Sequence, residues 1–203
     1  MARTPLPWRL ILASSSPRRG KLLAEAGYEF EVVRPPILEP DETLGRLPAS
    51  QQAEALAYFK AREVADQHPD ACVLGADTIV AVNDRILGKP ADQADAREML
   101  GVLSGSRHTV ITGVAMLGPG ERRLIASEST HVTMRQMSQE EIEAYVGSGE
   151  WVGKAGAYAI QETADRFVVQ VEGSFSNVVG LPMELVGRML DELWRHPELH
   201  RVM

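Results

Sequence analysis

Short apolar runs alternate with helical patterns along nearly the whole of this 203-residue chain. The apolar runs predict strands, and the segments with an apolar residue every three or four positions predict helices. This alternation indicates an α/β fold, and two long strands around a turn at Gly118–Gly120 make the sheet partly antiparallel. The predicted strands are 8–13, 28–33, 71–82, 85–88, 108–117, 122–137 and 166–173. The predicted helices are 17–26, 49–68, 92–105, 138–146 and 182–195, and Ser138 with Glu141 resembles a capping box at the start of the fourth helix.

The composition excludes several classes of protein. A formal net charge of −7 argues against an extended nucleic-acid interface, although a small anion needs only a local cluster of donors. Cys72, the only cysteine, lies in an apolar run, which predicts a packed thiol and no disulfide within the chain. No stretch approaches the roughly 20 apolar residues of a membrane span. We therefore expect one cytoplasmic domain over residues 1–203, without an export signal.

Three serines, a proline and two arginines lie at the first strand-to-helix junction, in the sequence LASSSPRRGKLL (Leu12–Leu23). Pro17 suits a first helical position, and Ser16 before it is a good N-cap. Free N–H groups at the helix start, beside hydroxyls and guanidinium groups, can bind phosphate. An N-cap with two solvated arginines is the alternative, and this segment alone leaves both open. Neither a Walker pattern nor a GxGxxG motif is present.

Asp77 follows a buried strand and a glycine in the sequence LGADTIV. A partly buried carboxylate needs a metal, a cation or a proton to offset its desolvation, so this position favours function over a plain turn aspartate. Lys89 precedes a proline, and Lys154 lies among glycine and alanine, where a backbone can approach a ligand closely. Taken singly, Lys60 would be a solvated helix lysine and Glu42 a loop acid.

The candidate residues combine cationic groups with acids but include no protein nucleophile. The five histidines are dispersed without zinc spacing, and no GxSxG motif is present. Such a set suits metal-assisted attack of water on a phosphoryl group. An acid can hold the metal or accept a proton from the water, and the cations can stabilise transition-state charge.

Eight motifs in order resemble the Maf family of nucleoside triphosphate pyrophosphatases, also called septum formation inhibitor Maf. They span about Leu10 to Leu190 and read LASSSPRR, DE, LAYFKA, LGADTIV, ILGKP, LSGSRHTVITGVA, GKAGAYAIQ and VVGLP. The resemblance implies an elongated central mixed β-sheet with flanking helices and two lobes around a deep cleft, similar to inosine triphosphate pyrophosphatases. It also implies cleavage between the α and β phosphates with a divalent metal, Mg²⁺ or Mn²⁺, by a homodimer.

The resemblance also implies roles for individual residues. Asp77 matches the family's catalytic proton acceptor and a metal ligand, and Glu42 matches an acidic position that assists the metal. Lys60 and Lys89 are the further catalytic candidates. The substrate-binding candidates are Ser14, Arg18, Arg19, Thr78, Lys154 and Gln161.

Three of these residues bear on the choice of base. Arg18, Thr78 and Gln161 match positions that the family associates with pyrimidines, and Gln161 offers the donor and the acceptor that a uracil or thymine edge requires. We therefore expect a preference for dTTP and UTP, and for modified pyrimidine nucleotides. A broad-specificity or 7-methyl-GTP pyrophosphatase, and a non-catalytic regulator of cell division, are the alternatives. The chain departs from the family's usual Asp, Gly, Gly and Tyr at Gly153, Ala159, Glu162 and Phe175.

Overall fold

A computed structural model describes residues 8–36, 47–83, 85–120, 122–161 and 163–195. These residues form seven strands in one sheet: β1 (Leu10–Ala13), β2 (Glu31–Val33), β3 (Cys72–Val82), β4 (Arg85–Leu87), β5 (Arg107–Gly118), β6 (Arg122–Met134) and β7 (Val168–Glu172). The α-helices are α1 (Pro17–Glu25), α2 (Ala49–Ala65), α3 (Gln93–Leu103), α4 (Gln139–Ser148), α5 (Phe175–Val179) and α6 (Met183–Arg195). Ala155–Ala157 and Thr163–Phe167 are short 3₁₀ segments.

The sheet is mixed, as the sequence predicts. Its strand order is β2-β1-β3-β5-β6-β7, and β4 pairs with β3 outside this path. β1 runs parallel to both β2 and β3, with Ala13 opposite Gly75, whereas β4 and β7 pair antiparallel with their neighbours. The predicted α/β class, with a central mixed sheet and flanking helices, is confirmed.

The chain divides into two compact units. The first draws on Met1–Asp77, Thr112–Glu128 and Gly180–Met203, and the second on Thr78–Ile111 and Ser129–Val179. A single domain over 1–203 therefore stays a prediction. None of the helices in the described residues is long and apolar enough to cross a membrane.

Two apolar clusters form the core of the first unit. One includes Leu12 of β1, Leu74 of β3 and Leu190 of α6, and the other joins Ile11 to the small residues of α2. Cys72 lies fully buried in the first of these clusters, and burial raises the pKa of its thiol to about 12. The predicted packed thiol is confirmed, since such a group does not ionise near neutral pH.

The second unit has its own core, in which side chains of β3, β5 and β6 pack with α3 and α4. Its helices α3 and α4 begin at capping residues. Asp92 accepts a hydrogen bond from the N–H of Asp95 at the start of α3. Ser138 and Glu141 form the predicted capping box at the start of α4.

One element differs from the sequence-based prediction. No helix is predicted between the strand 166–173 and the helix 182–195, but the structure has the short helix α5 there. Ser174 Oγ accepts a hydrogen bond from the N–H of Asn177, and Asn177 Nδ2 donates to Val110 O and Thr130 Oγ1. Because these contacts reach residues 47 and 67 positions away, a local pattern could not reveal the helix.

Candidate active site

Asp77 lies within β3, where it is only 8% exposed, and it forms an ion pair with Lys60 of α2. Lys60 Nζ donates a hydrogen bond to Asp77 Oδ1. The sequence predicted that a partly buried carboxylate here would need a metal, a cation or a proton, and the structure supplies the cation of Lys60. The lysine that local sequence alone would leave solvated is therefore part of a buried acid–base pair.

A close approach between α2 and the sheet makes this pair possible. An added Cβ at Gly75 of β3 would lie 2.4 Å from Ala57 O and 2.9 Å from Ala61 Cβ. An added Cβ at Gly113 of β5 would lie 2.2 Å from the carbonyl of Ala53. The buried alanines of α2 recur every four residues, so they form one face of the helix. Small residues on both partners thus seat α2 against the sheet and bring Lys60 to Asp77.

The strand-to-helix junction contributes a second polar group in the same unit. Ser14 follows β1 directly and is 4% exposed. Its Oγ accepts hydrogen bonds from the N–H of Ser16 at 3.1 Å and from Arg19 Nη1 at 3.4 Å. Ser16 occupies the predicted N-cap position, but its side chain makes no capping hydrogen bond. The turn is instead ordered through Ser14.

Arg19 joins this turn to the segment that precedes α6. Its Nε donates to Gly180 O at 2.7 Å, while Nη1 reaches Ser14 Oγ. Burial lowers the pKa of the Arg19 guanidinium, Asp77 acts to raise it and Arg18 to lower it. Arginine remains charged at neutral pH in spite of such a shift. The Arg19 guanidinium is therefore within electrostatic reach of the Asp77 carboxylate and of Arg18.

The second unit brings together the two glycine-containing motifs that carry Lys89 and Lys154. The N–H of Gly156 donates to Gly88 O at 2.9 Å. Lys154 is 8% exposed at the start of the 3₁₀ segment Ala155–Ala157, whereas Lys89 is exposed. The predicted lysines thus lie on backbone segments that are directly hydrogen-bonded.

The remaining predicted residues lie at other places in the chain. Thr78 is half-buried and follows Asp77 in β3, and Gln161 is exposed after the GKAGAY segment. Glu42, the predicted metal-assisting acid, lies outside the described residues, as does Glu162. Within the described part of the chain, no three His, Cys, Asp or Glu side chains cluster in a way that could hold a metal ion.

One buried polar pair was not predicted from the sequence. His108 Nε2 and Tyr158 Oη lie 2.7 Å apart in the second unit, and Tyr158 belongs to the segment that carries Lys154 and Gln161. A signal was present, because His108 alternates with the exposed Arg107 and shares the inward face of β5 with Val110.

Together, the mixed sheet, the buried lysine–aspartate pair and the adjacent serine–arginine cluster define an α/β protein equipped to bind an anion and to transfer a proton. Comparison with known families narrows this class. The chain belongs to the family of Maf-like proteins, whose family model matches residues 9–193. The resemblance stated from the sequence is confirmed.

Relatives agree with this membership, and a solved structure shares the fold. The dTTP/UTP pyrophosphatase of Ruminiclostridium cellulolyticum is 46% identical over 185 residues, which cover 91% of this chain and 95% of the relative. That of Symbiobacterium thermophilum is 47% identical over 184 residues, or 91% of this chain and 93% of the relative. The Staphylococcus aureus Ham1 protein shares the fold, with a TM-score of 0.50 at 15% identity over 91% of this chain and 98% of its own.

Proposed function

We propose that this protein is a nucleoside triphosphate pyrophosphatase that hydrolyses the bond between the α and β phosphates and favours dTTP and UTP. The observation that carries the proposal is the buried pair of Lys60 and Asp77 beside Ser14 and Arg19. The relatives named dTTP/UTP pyrophosphatase support the substrate class.

In this proposal Asp77 accepts the proton of the attacking water. Lys60 donates a hydrogen bond to one carboxylate oxygen, which fixes the orientation of the group. A lysine–aspartate pair removed from bulk water needs little rearrangement when charge develops on a phosphoryl group. Proton transfer and orientation are therefore assigned to two side chains that the fold already holds in contact.

The cationic residues are assigned to phosphate. Arg19 has a guanidinium that Ser14 and Gly180 fix in place, so it loses little side-chain entropy when it binds an anion. Arg18 is half-buried on the first turn of α1, where the helix dipole also favours negative charge. Lys89, Lys154, Thr78 and Gln161 keep the catalytic or substrate-binding roles that the family resemblance predicts.

A divalent metal, Mg²⁺ or Mn²⁺, is part of the proposal. Mg²⁺ is commonly held by one or two carboxylates together with substrate phosphates and water, so the single Asp77 carboxylate fits a metal that arrives with the nucleotide. When bound, such an ion neutralises phosphate charge and polarises the phosphoryl group. Glu42, which the resemblance predicts to assist the metal, lies outside the described residues.

The experiment is a pyrophosphate-release assay on a panel of nucleoside triphosphates with Mg²⁺ or Mn²⁺. We expect the highest kcat/KM for dTTP and UTP, and loss of turnover with retained nucleotide binding in Asp77→Asn. Hydrolysis of none of the nucleotides would leave the non-catalytic regulator as the better description. Preference for a purine such as 7-methyl-GTP would overturn the base assignment while leaving the enzyme class intact.

The assembly, location and partners of the protein are proposed on the same resemblance. We expect a homodimer in the cytoplasm, acting as one domain on free nucleotides rather than on nucleic acid. The net charge of −7 supports the last point, since nucleic-acid binding needs a basic surface. Light scattering of the purified protein measures the oligomeric state directly.

A further inference from the structure

His108 and Tyr158 form a buried pair outside the residues assigned to the reaction. Their Nε2 and Oη atoms share a hydrogen bond of 2.7 Å, and their rings meet edge to face with centroids 5.4 Å apart. His108 is 1% exposed and Tyr158 is 6% exposed. Burial lowers the pKa of the histidine to about 4, so its imidazole is neutral at pH 7.

The pair stabilises the core less than an apolar pair of similar size would. His108 Nδ1 is buried, and within the described residues it has no hydrogen-bond partner. A neutral imidazole and a tyrosine hydroxyl together carry two polar protons, but the one hydrogen bond between them uses only one. An unsatisfied buried donor costs roughly 1–3 kcal/mol, which two phenylalanines would avoid. The pair is therefore better explained by positioning than by core stability.

What the pair can position is the segment 154–161. Two consecutive residues there, Gly156 and Ala157, have left-handed φ values of 67° and 62°. For alanine this conformation costs about 1 kcal/mol and persists only where neighbouring contacts enforce it. An added Cβ at Gly156 would lie 3.0 Å from Val80 Cγ2, so the segment is also tightly packed.

Several contacts hold this backbone. The N–H of Gly156 donates to Gly88 O at 2.9 Å, and the N–H of Ala157 donates to Lys154 O at 3.1 Å. A further contact is the side chain of Tyr158, which reaches His108 near the start of β5. This hydrogen bond ties the segment to β5, a long strand of the sheet.

We propose that His108 is a positioning residue for nucleotide binding, because its hydrogen bond to Tyr158 holds segment 154–161 in the conformation that presents Lys154 and Gln161 to the substrate. This inference rests on the proposed function. In this inference His108 does not touch the nucleotide, and it affects the affinity for the substrate rather than the chemical step.

The test uses two amide substitutions of the same histidine. The amide nitrogen of glutamine lies near the position of the imidazole Nε2, whereas that of asparagine lies near Nδ1 and falls short of Tyr158. We expect His108→Asn to raise the KM for dTTP about tenfold with kcat changed less than about twofold, and His108→Gln to restore most of the affinity. Tyr158→Phe, which retains the ring, should reproduce the effect of His108→Asn.

A double variant and a matched control sharpen the test. If the two residues act as one unit, His108→Asn with Tyr158→Phe raises KM no further than either change alone. His131→Asn is the control, because His131 also belongs to the second unit and bonds Thr109 at 3.0 Å, next to His108. We expect this control to leave the KM for dTTP unchanged.

The outcomes separate the two proposals. A wild-type protein that hydrolyses no nucleotide refutes the proposed function and the inference with it. An active wild type whose His108→Asn and Tyr158→Phe variants melt earlier but keep the wild-type KM refutes the inference alone. Equal KM values for His108→Asn and His108→Gln also refute it, because the position of the nitrogen would then be irrelevant.

Discussion

Lys60 reaches Asp77 because residue 75, two positions before the aspartate, has no side chain. Any Cβ at this point would press into Ala57 O and Ala61 Cβ of α2. The obstacle is backbone and a methyl group, neither of which can rotate away. The geometry of the acid–base pair therefore depends on a residue that carries no chemistry itself.

Gly75→Ala is accordingly expected to force α2 away from β3. The overpacking should lower the free energy of unfolding by about 2 kcal/mol and reduce kcat more than tenfold, because Lys60 is drawn away from Asp77. Denaturant unfolding and steady-state kinetics measure the two effects. Gly187→Ala in α6 is the control, since its Cβ would meet only Tyr28 Oη at 3.8 Å. It should leave kcat unchanged and stability equal or slightly higher.

Removal of the lysine should expose the cost of an unpaired buried carboxylate. Lys60→Met leaves Asp77 without its cation, which we expect to lower the free energy of unfolding by about 3 kcal/mol and to reduce kcat. Adding Asp77→Asn should recover much of the stability without any activity. A Lys60→Met protein as stable as wild type would show that the pair is not buried in solution.

Substitution by lysine should have different effects at the two neighbouring arginines. Arg19→Lys loses the fork that spans Gly180 O and Ser14 Oγ, so we expect a stability loss of about 1 kcal/mol together with a higher KM for every nucleotide. Arg18→Lys should leave the melting temperature unchanged. It should instead reduce the ratio of kcat/KM for dTTP to kcat/KM for purine nucleotides. Identical effects of the two substitutions would contradict this division of roles.

The buried histidine should make the protein sensitive to mild acid. Because burial lowers the pKa of His108 from 6.5 to about 4, the unfolded chain binds a proton over this range and the folded chain does not. Stability is therefore expected to fall as pH drops from 6.5 to about 4, by about 3 kcal/mol in total. Urea unfolding at several pH values measures the slope. His108→Gln, which cannot titrate, should lack this part of the slope and retain what the other groups contribute.

Features that depend on neighbouring residues could be predicted from the sequence alone. Alternating apolar runs predicted the strands, and the capping box at Ser138 and Glu141 predicted the start of α4. The ordered motifs were sufficient to state the family. These signals are local, since a cap, a turn or a strand pattern is formed within a few residues of the chain. They can therefore be identified without knowledge of the tertiary structure.

Contacts between distant side chains became visible only in the folded protein. Lys60 and Asp77 are 17 residues apart, and their contact depends on the packing of alanines on glycines. His108 and Tyr158 are 50 residues apart, and no local pattern joins a histidine in a strand to a tyrosine in a loop. The short helix α5 likewise depends on Asn177 and its distant acceptors. Such contacts follow from close packing between elements, which periodicity and composition do not encode.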